Sequence, residues 1–562
     1  MQVITTGDAS LSAARRILDR ESHKTPTPEQ LNVRYDNLFE KAKPKNTPAV
    51  ALQTYEYFDG NKKHREAVKK AFISGETDSL GLDYPKLSAD YTEKGRSVDE
   101  SVADLEYLMQ ECHELISGYR LYLNDSYVKE KINNLLILKD SIEFRLMEAY
   151  YLKVCVDLNS VDFSEPLTKE TQDLINLHSL LASKLYGEII VELKDQILGE
   201  VAYLVGQKDL SPGMKEIFDQ VNNGEFGLPT GLLSSGSNKR LPAKLDRETL
   251  NELQHSLMEM YSKEYEVIEQ YYADHINPND EEDGSGGIFS PKDIFGVFKD
   301  LNLLSGNKID IIFDEHAKAT AWSTSRGAII VGGLRAPIEN INEVLALWVH
   351  EYGVHAKATL RGREIHPSFE AGVYVLFSID FFGGKDVEAS DYLTYEEGLG
   401  SVLQGIIGKG ENFAEWGAAD LEKALVVALA QHYGLNHRQI FEIIWRIRAL
   451  LTCKPNQEMN EAEINKCKNA SYTSLVRIFR GTPSSQICVD ADGRVLVHTK
   501  DLTYLFGKKR VFKDLGEAID DGIAIEDFID CKLGAGRIDL GTATGPALEL
   551  AKKVLKERST VA

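Results

Sequence analysis

Between residues 98 and 159 apolar side chains recur at helical spacing, at Val102, Leu105, Leu108, Met109 and Cys112, then at Ile132, Leu135, Leu136 and Leu138. Few glycines or prolines interrupt them, which predicts long packed helices. The stripe resumes over 168–205 with Leu174, Leu177, Leu180, Leu181, Leu185, Ile189 and Val191. Leucines at this spacing are expected to face a core. Residues 245–272, 421–433, 439–451 and 546–555 repeat the pattern. The period changes at 308–313 and 328–331, two short β-type runs flanking 320–325, and a small sheet is expected there. Residues 222–242 are rich in Gly, Ser and Pro and read as a loop.

Apolar periodicity is weak at both edges of this pattern. Residues 1–50 carry Thr25-Pro26-Thr27-Pro28 and Lys43-Pro44-Lys45 and read as a peripheral segment, a short helix over 11–18 with an extended lead-in. The sharpest break is the acidic, Gly-rich run 277–287, which reads as a solvated linker because it lacks the ligand spacing of a calcium loop. It divides a helical region, 51–276, from a second region, 288–562.

The 562 residues, 43% of them hydrophobic, support a large core. No charged segment followed by an apolar core opens the chain, and no uninterrupted apolar run approaches ~18 residues, so a cytoplasmic protein without membrane insertion is expected. Six cysteines without CxxC spacing read as reduced thiols. A formal charge of −23 argues against nucleic acid as a partner, because that affinity rests on neutralising phosphates with Lys and Arg. The charge is uneven. From Arg438 to Lys513 fourteen Lys/Arg stand against seven Asp/Glu, a local excess of 14 − 7 = +7. Such a region either focuses an anionic ligand or is ordinary solvated charge.

One stretch carries chemistry. His350-Glu351-Tyr352-Gly353-Val354-His355 puts two imidazoles and a carboxylate into six residues, behind an apolar run from Ile341 through Val349, with Asn342 as a candidate N-cap. Zinc hydrolases place histidines four apart, with the glutamate between them activating water. Here the spacing is five. An ideal α-helix would set His350 and His355 about 140° apart, so a single ion requires a local π-type bulge, eased by Gly353. Alone, the motif is a weak signal that an unrelated pair of helix histidines explains at least as well. Some forty residues on, Tyr395-Glu396-Glu397-Gly398-Leu399-Gly400 places two acids in a second helical pattern. A glutamate from there would complete a three-ligand site that leaves a fourth position open; the alternative is an acidic helix start. A small sheet directly before an HE-type helix matches the plan of zincin-like hydrolases, whose edge strand pairs with an extended peptide. Residues 320–323 are the stretch expected beside it. The fold class expected is therefore α+β, helix-dominated, with a zincin-like half packed on a helical N-terminal half.

Together, His350 to His355 and Glu396-Glu397-Gly398-Leu399 resemble the tyrosine/phenylalanine carboxypeptidase family, also called the QEGLA-motif family. It includes tubulin tyrosine carboxypeptidases and bacterial proteins labelled modulators of flavohaemoglobin expression. Phe72-Ile73-Ser74-Gly75-Glu76 with Tyr84-Pro85-Lys86-Leu87, Lys184-Leu185-Tyr186-Gly187, Phe479-Arg480-Gly481 and the block from His498 to Leu505 are similar to further family blocks, covering residues 50 to 515. The chain departs from the family pattern at Ala358, Arg361-Gly362, His366-Pro367, Glu396 (for glutamine) and Gly400 (for alanine). The resemblance implies zinc, one ion per chain, held by His350, His355 and Glu397, with Glu351 as general base. Glu397 aligns with the family's glutamate, and Glu396 is expected to orient an imidazole N–H. Removal of a C-terminal, aromatic residue from a peptide or protein is implied. Arg477, Arg480 and Lys500, in or beside the family-like blocks, and Tyr504 are the expected contacts to the substrate's carboxylate. A peptide-binding regulator without catalysis on the same scaffold is the alternative.

Overall fold

The computed structural model describes residues 26–42, 55–56, 62–82, 86–87, 98–124, 126–159, 161–163, 165–233, 239–241, 245–276, 288–323, 326–365, 392–413, 416–483 and 487–534. Among these, helices dominate an α+β arrangement with a small three-stranded sheet. The expected helices at 11–18 and 546–555 and the linker at 277–287 lie outside the described residues, as do residues 43–50.

The first described element is a helix, α1 (Pro28–Lys41), where an extended lead-in was expected. Thr27 and Gln30 form a reciprocal capping box around Pro28 at the first helical position, so the prolines start the helix instead of excluding it. Strands β1 (Tyr55–Glu56) and β2 (Lys86–Leu87) pair antiparallel, with α2 (Lys62–Ser74) between them in sequence. Two long helices follow, α3 (Val98–Tyr119) and α4 (Ser126–Asn159). With α1 they enclose a separate core around Leu31, Tyr35, Phe39, Leu115 and Leu135.

Next come α5 (Lys169–Tyr186), α6 (Val191–Gly206), α7 (Pro212–Asn222), α8 (Arg247–Met260) and α9 (Ser262–His275). The leucine stripe over 168–205 is only partly core: Leu181, Leu185 and Ile189 are buried, whereas Leu177, Leu180 and Val191 are exposed. Only one face of α5 meets other elements, and the extra leucines lie off it.

Past the linker stand α10 (Pro291–Leu304), β3 (Asp310–Asp314), β4 (Ala321–Ser323) and β5 (Ala328–Gly332). β5 is central, parallel to β3 and antiparallel to β4, with Trp322 opposite Ile329. β4 is thus an edge. Then follow α11 (Ile341–Trp348), a π-helical turn (Val349–Ala356), α12 (Lys357–Ile365), α13 (Tyr392–Lys409), α14 (Ala418–Tyr433), α15 (His437–Thr452) and α16 (Glu461–Phe479). A 3-10 turn (Thr499–Leu502), α17 (Thr503–Asp520) and α18 (Ile525–Gly534) end the described chain. One continuous core joins side chains from both sides of the linker, including Leu257, Ile268, Phe298, Trp348, Leu403 and Phe506. No helix among the described residues is long and apolar enough to cross a membrane.

Candidate metal centre

The helix that carries the motif is fixed at its start by Asn340, whose Oδ1 accepts from the Glu343 amide at 2.8 Å. The cap lies two residues before Asn342, because Asn340 holds the extended backbone that a capping side chain needs. From there Val344 to Val349 are all buried. Trp348 packs edge-on against Phe298 at 5.1 Å and stacks on Tyr352 at 4.6 Å, pinning the helix just before and within the motif.

The regular helix ends at Trp348, and Val349–Ala356 form a π-helical turn. Its i→i+5 pattern puts residues five apart on one face. His350 and His355 accordingly have ring centroids 5.0 Å apart, the geometry that the sequence spacing requires for a shared ion. Gly353 sits at the crowded centre of the turn. A Cβ there would approach both the Tyr261 hydroxyl and Val349 Cγ1 to 3.2 Å.

Glu396 and Glu397 arrive on α13, which is held against α17 by two glycines. A Cβ on Gly398 would lie 2.2 Å from the Gly507 carbonyl carbon, and one on Gly507 would lie 2.0 Å from the Thr394 carbonyl oxygen. The two backbones therefore touch directly. Gly400, two residues on from Gly398, leaves room for the His350 ring, since a Cβ there would stand 3.1 Å from its Nδ1. The departure from alanine at this position thus has a steric correlate.

In this frame the donor atoms of His350, His355 and Glu397 all lie within 4.8 Å of one another. Glu397 Oε2 stands 3.9 Å from His355 Nε2. His355 Nδ1 meets Glu396 Oε1 at 2.5 Å, which fixes the tautomer and leaves Nε2 toward Glu397. His350 Nδ1 is buried without a hydrogen-bond partner, while the ring lies against Gln404 and the Gly400 backbone. Two imidazoles and one carboxylate at these separations fit a metal ion.

Glu351 belongs to a different arrangement. Its Oε2 accepts the Trp322 backbone N–H of β4 at 2.7 Å, and it is buried. Burial pushes its carboxyl up to about 7; Glu397 adds to this, while His355, the Trp322 amide and Arg335 oppose it. Burial, with the neighbouring His355, holds His350 down at about 3, so its imidazole is neutral and able to donate a lone pair. Burial also disfavours a charged His355, but Glu396, Glu397 and Glu351 outweigh it and raise the ring to about 9.

The residues expected to contact substrate are placed unevenly. Tyr504, on the first turn of α17, faces the donor set, and the Glu397 carboxylate is the main reason its hydroxyl resists ionisation. Lys423 lies over its ring at 4.9 Å. Arg477 is held by Asp501 through Nε at 2.8 Å and Nη2 at 2.6 Å, and Arg480, buried, is 3.8 Å from the same carboxylate. Lys500 is half-buried on the adjoining 3-10 turn.

Beside Glu351 opens a cavity of about 740 Å³, walled by the approach to β4, the chain after β5, α11, α13 and Lys508 of α17. Sequence reasoning did not reach Arg335 and Gln404 of its polar lining, and took in Lys508 only as one of the cations between Arg438 and Lys513. Arg335 follows the Gly332-Gly333 pair at the end of β5, and a cation just past a strand beside an HE-type helix was the only signal available. No family model matches the chain, and no match was found among curated proteins or solved structures.

Proposed function

We propose that this protein is a zinc-dependent carboxypeptidase that removes one C-terminal residue from a peptide or protein, of the tyrosine/phenylalanine type that its motifs resemble, on a zincin-like catalytic half. The observation that carries this reading is the division of labour within six residues. His350 and His355 share a face with Glu397, while Glu351 between them is turned to the edge strand. Zinc in such a site supplies Lewis-acid chemistry, polarising a carbonyl and acidifying water.

The chain's own groups account for the remaining steps. Glu351 Oε2 is engaged by the Trp322 amide, so Oε1 is the oxygen that takes a proton from the attacking water and returns it to the departing amine. Burial raises this carboxyl, the direction that lets a base also return the proton it takes. Glu396 keeps His355 in one tautomer. Tyr504 stands beside Glu397 with a hydroxyl able to donate to the substrate carbonyl oxygen. β4 offers an extended substrate a strand to pair with. A peptide-binding role without turnover has no use for a buried carboxylate oriented in this way. The test is zinc content together with mass spectrometry of a peptide mixture after incubation. About one zinc per chain and ladders shortened by one C-terminal residue are expected.

A further inference from the structure

An exopeptidase needs a cation for the substrate's free carboxylate, because a charged group brought into a site without a partner is costly. Arg477 is poorly placed for this. The Nε–Nη2 edge of its guanidinium is taken by both oxygens of Asp501, a carboxylate only 3% exposed, so its charge is already matched. The cavity beside Glu351 contains a different arrangement. Lys318, Arg335, Lys409 and Lys508 line it against two acids, Glu343 and Glu351. Lys508 is already paired to Asp420 at 2.6 Å. Arg335 donates through Nη1 to Thr320 Oγ1 at 2.9 Å and through Nε to the Ala336 carbonyl at 3.3 Å. Among the described residues no carboxylate lies within ion-pair distance of it. Its half-buried guanidinium is therefore positioned by neutral groups, with Nη2 uncommitted.

The same cavity has an apolar side. Ile338, Ala346, Leu347 and Phe413 are buried and contribute to its wall. Its volume is in the range of sites that enclose a small ligand or a terminal residue.

We infer that this cavity receives the residue to be released, with Arg335 binding its free α-carboxylate and the Ile338, Leu347 and Phe413 side holding an apolar or aromatic side chain. The inference rests on the carboxypeptidase reading and deepens it. The scissile bond then falls between this cavity and the donor set, with Glu351 at the boundary, where its returned proton meets the leaving amine. Lys318 and Lys409 make the cavity attractive to anions without fixing their geometry.

The experiment uses the full-length, zinc-loaded chain carrying Glu351→Gln, which prevents turnover, and a fluorescent peptide ending in phenylalanine as free acid or amide. Binding is read by anisotropy. The free acid is expected to bind about 10- to 100-fold more tightly than the amide, the range of a charge-assisted pair. Adding Arg335→Gln is expected to bring this ratio close to one, while Arg335→Lys retains part of it and Arg477→Gln leaves it unchanged, all with melting curves showing a folded protein. A free-acid preference that survives Arg335→Gln overturns the assignment of Arg335 alone. No preference in the parent protein, together with no trimming by wild type, overturns the carboxypeptidase reading itself.

Discussion

Gly398 and Gly507 touch backbone to backbone, and this contact sets the position of the proposed metal ligand one residue before it. A Cβ added to Gly398 would fall 2.2 Å from the Gly507 carbonyl carbon, so α13 and α17 must separate to admit one. Gly398→Ala or Gly507→Ala is expected to cost roughly 1–3 kcal/mol or more through overpacking and to weaken zinc retention by moving Glu397. Gly516→Ala on the same α17, where a Cβ would meet nothing within 4 Å, should stabilise by about 0.5–1 kcal/mol. Thermal melts and metal analysis of the three variants separate the crossing from a general intolerance of alanine.

Removing a ligand and removing the base should have different consequences. His350→Ala, His355→Ala and Glu397→Ala are expected to lose stoichiometric zinc, whereas Glu351→Gln keeps zinc and loses turnover. Metal analysis after dialysis reads this directly. Loss of zinc from Glu351→Gln, or its retention in both histidine variants, would contradict the division of labour.

The motif's geometry was legible in the sequence because it is local. Five-residue spacing cannot serve one ion on a regular helix, which implies a π-helical turn, and the chain forms one over Val349–Ala356. Helical dominance and the short strands around 308–331 were legible from period alone. Features that depend on distant partners were not. The Gly398–Gly507 contact joins residues more than a hundred positions apart, and Arg335 acquires meaning only from what surrounds it. Local misreadings had local causes. Asn342 reads as the cap because it borders the apolar run, whereas the extended backbone is at Asn340, and Pro26 and Pro28 suggest extension unless Thr27 and Gln30 close a capping box.

Proton binding at the centre should oppose metal binding. His355 is raised to about 9 by its carboxylate neighbours, against burial, and from about 6.5 in an unfolded chain. A raised folded pKa means stability fully present below about 6.5 and lost as pH climbs through 9. Glu351, pushed up to about 7 by burial, acts in the same direction at lower pH. The metal-free protein should therefore lose thermal stability between pH 6 and pH 9. Zinc must displace the His355 proton, so its affinity should rise about tenfold per pH unit over the same interval. Melts in chelator, paired with zinc titrations across this range, check both slopes. A metal-free protein that grows more stable toward pH 9 would contradict the assignment.

Glu396→Gln isolates the charge from the hydrogen bond. Glutamine still accepts from His355 Nδ1 but no longer favours the imidazolium, so the proton released on zinc binding should leave at lower pH. Loss of the charged partner is expected to cost about 10- to 100-fold in zinc affinity. Calorimetry in buffers of different ionisation enthalpy counts the released protons. An unchanged proton count at pH 8 would show that Glu396 does not control His355.

The most direct test incubates the zinc-loaded protein with a mixture of free-acid peptides and reads both ends of every product by mass spectrometry, with Glu351→Gln in parallel. Loss of a single C-terminal residue, strongest for peptides ending in tyrosine or phenylalanine and absent from Glu351→Gln, is the predicted result. Intact peptides after wild-type incubation, cuts confined to internal bonds, or trimming that persists without Glu351 would contradict it.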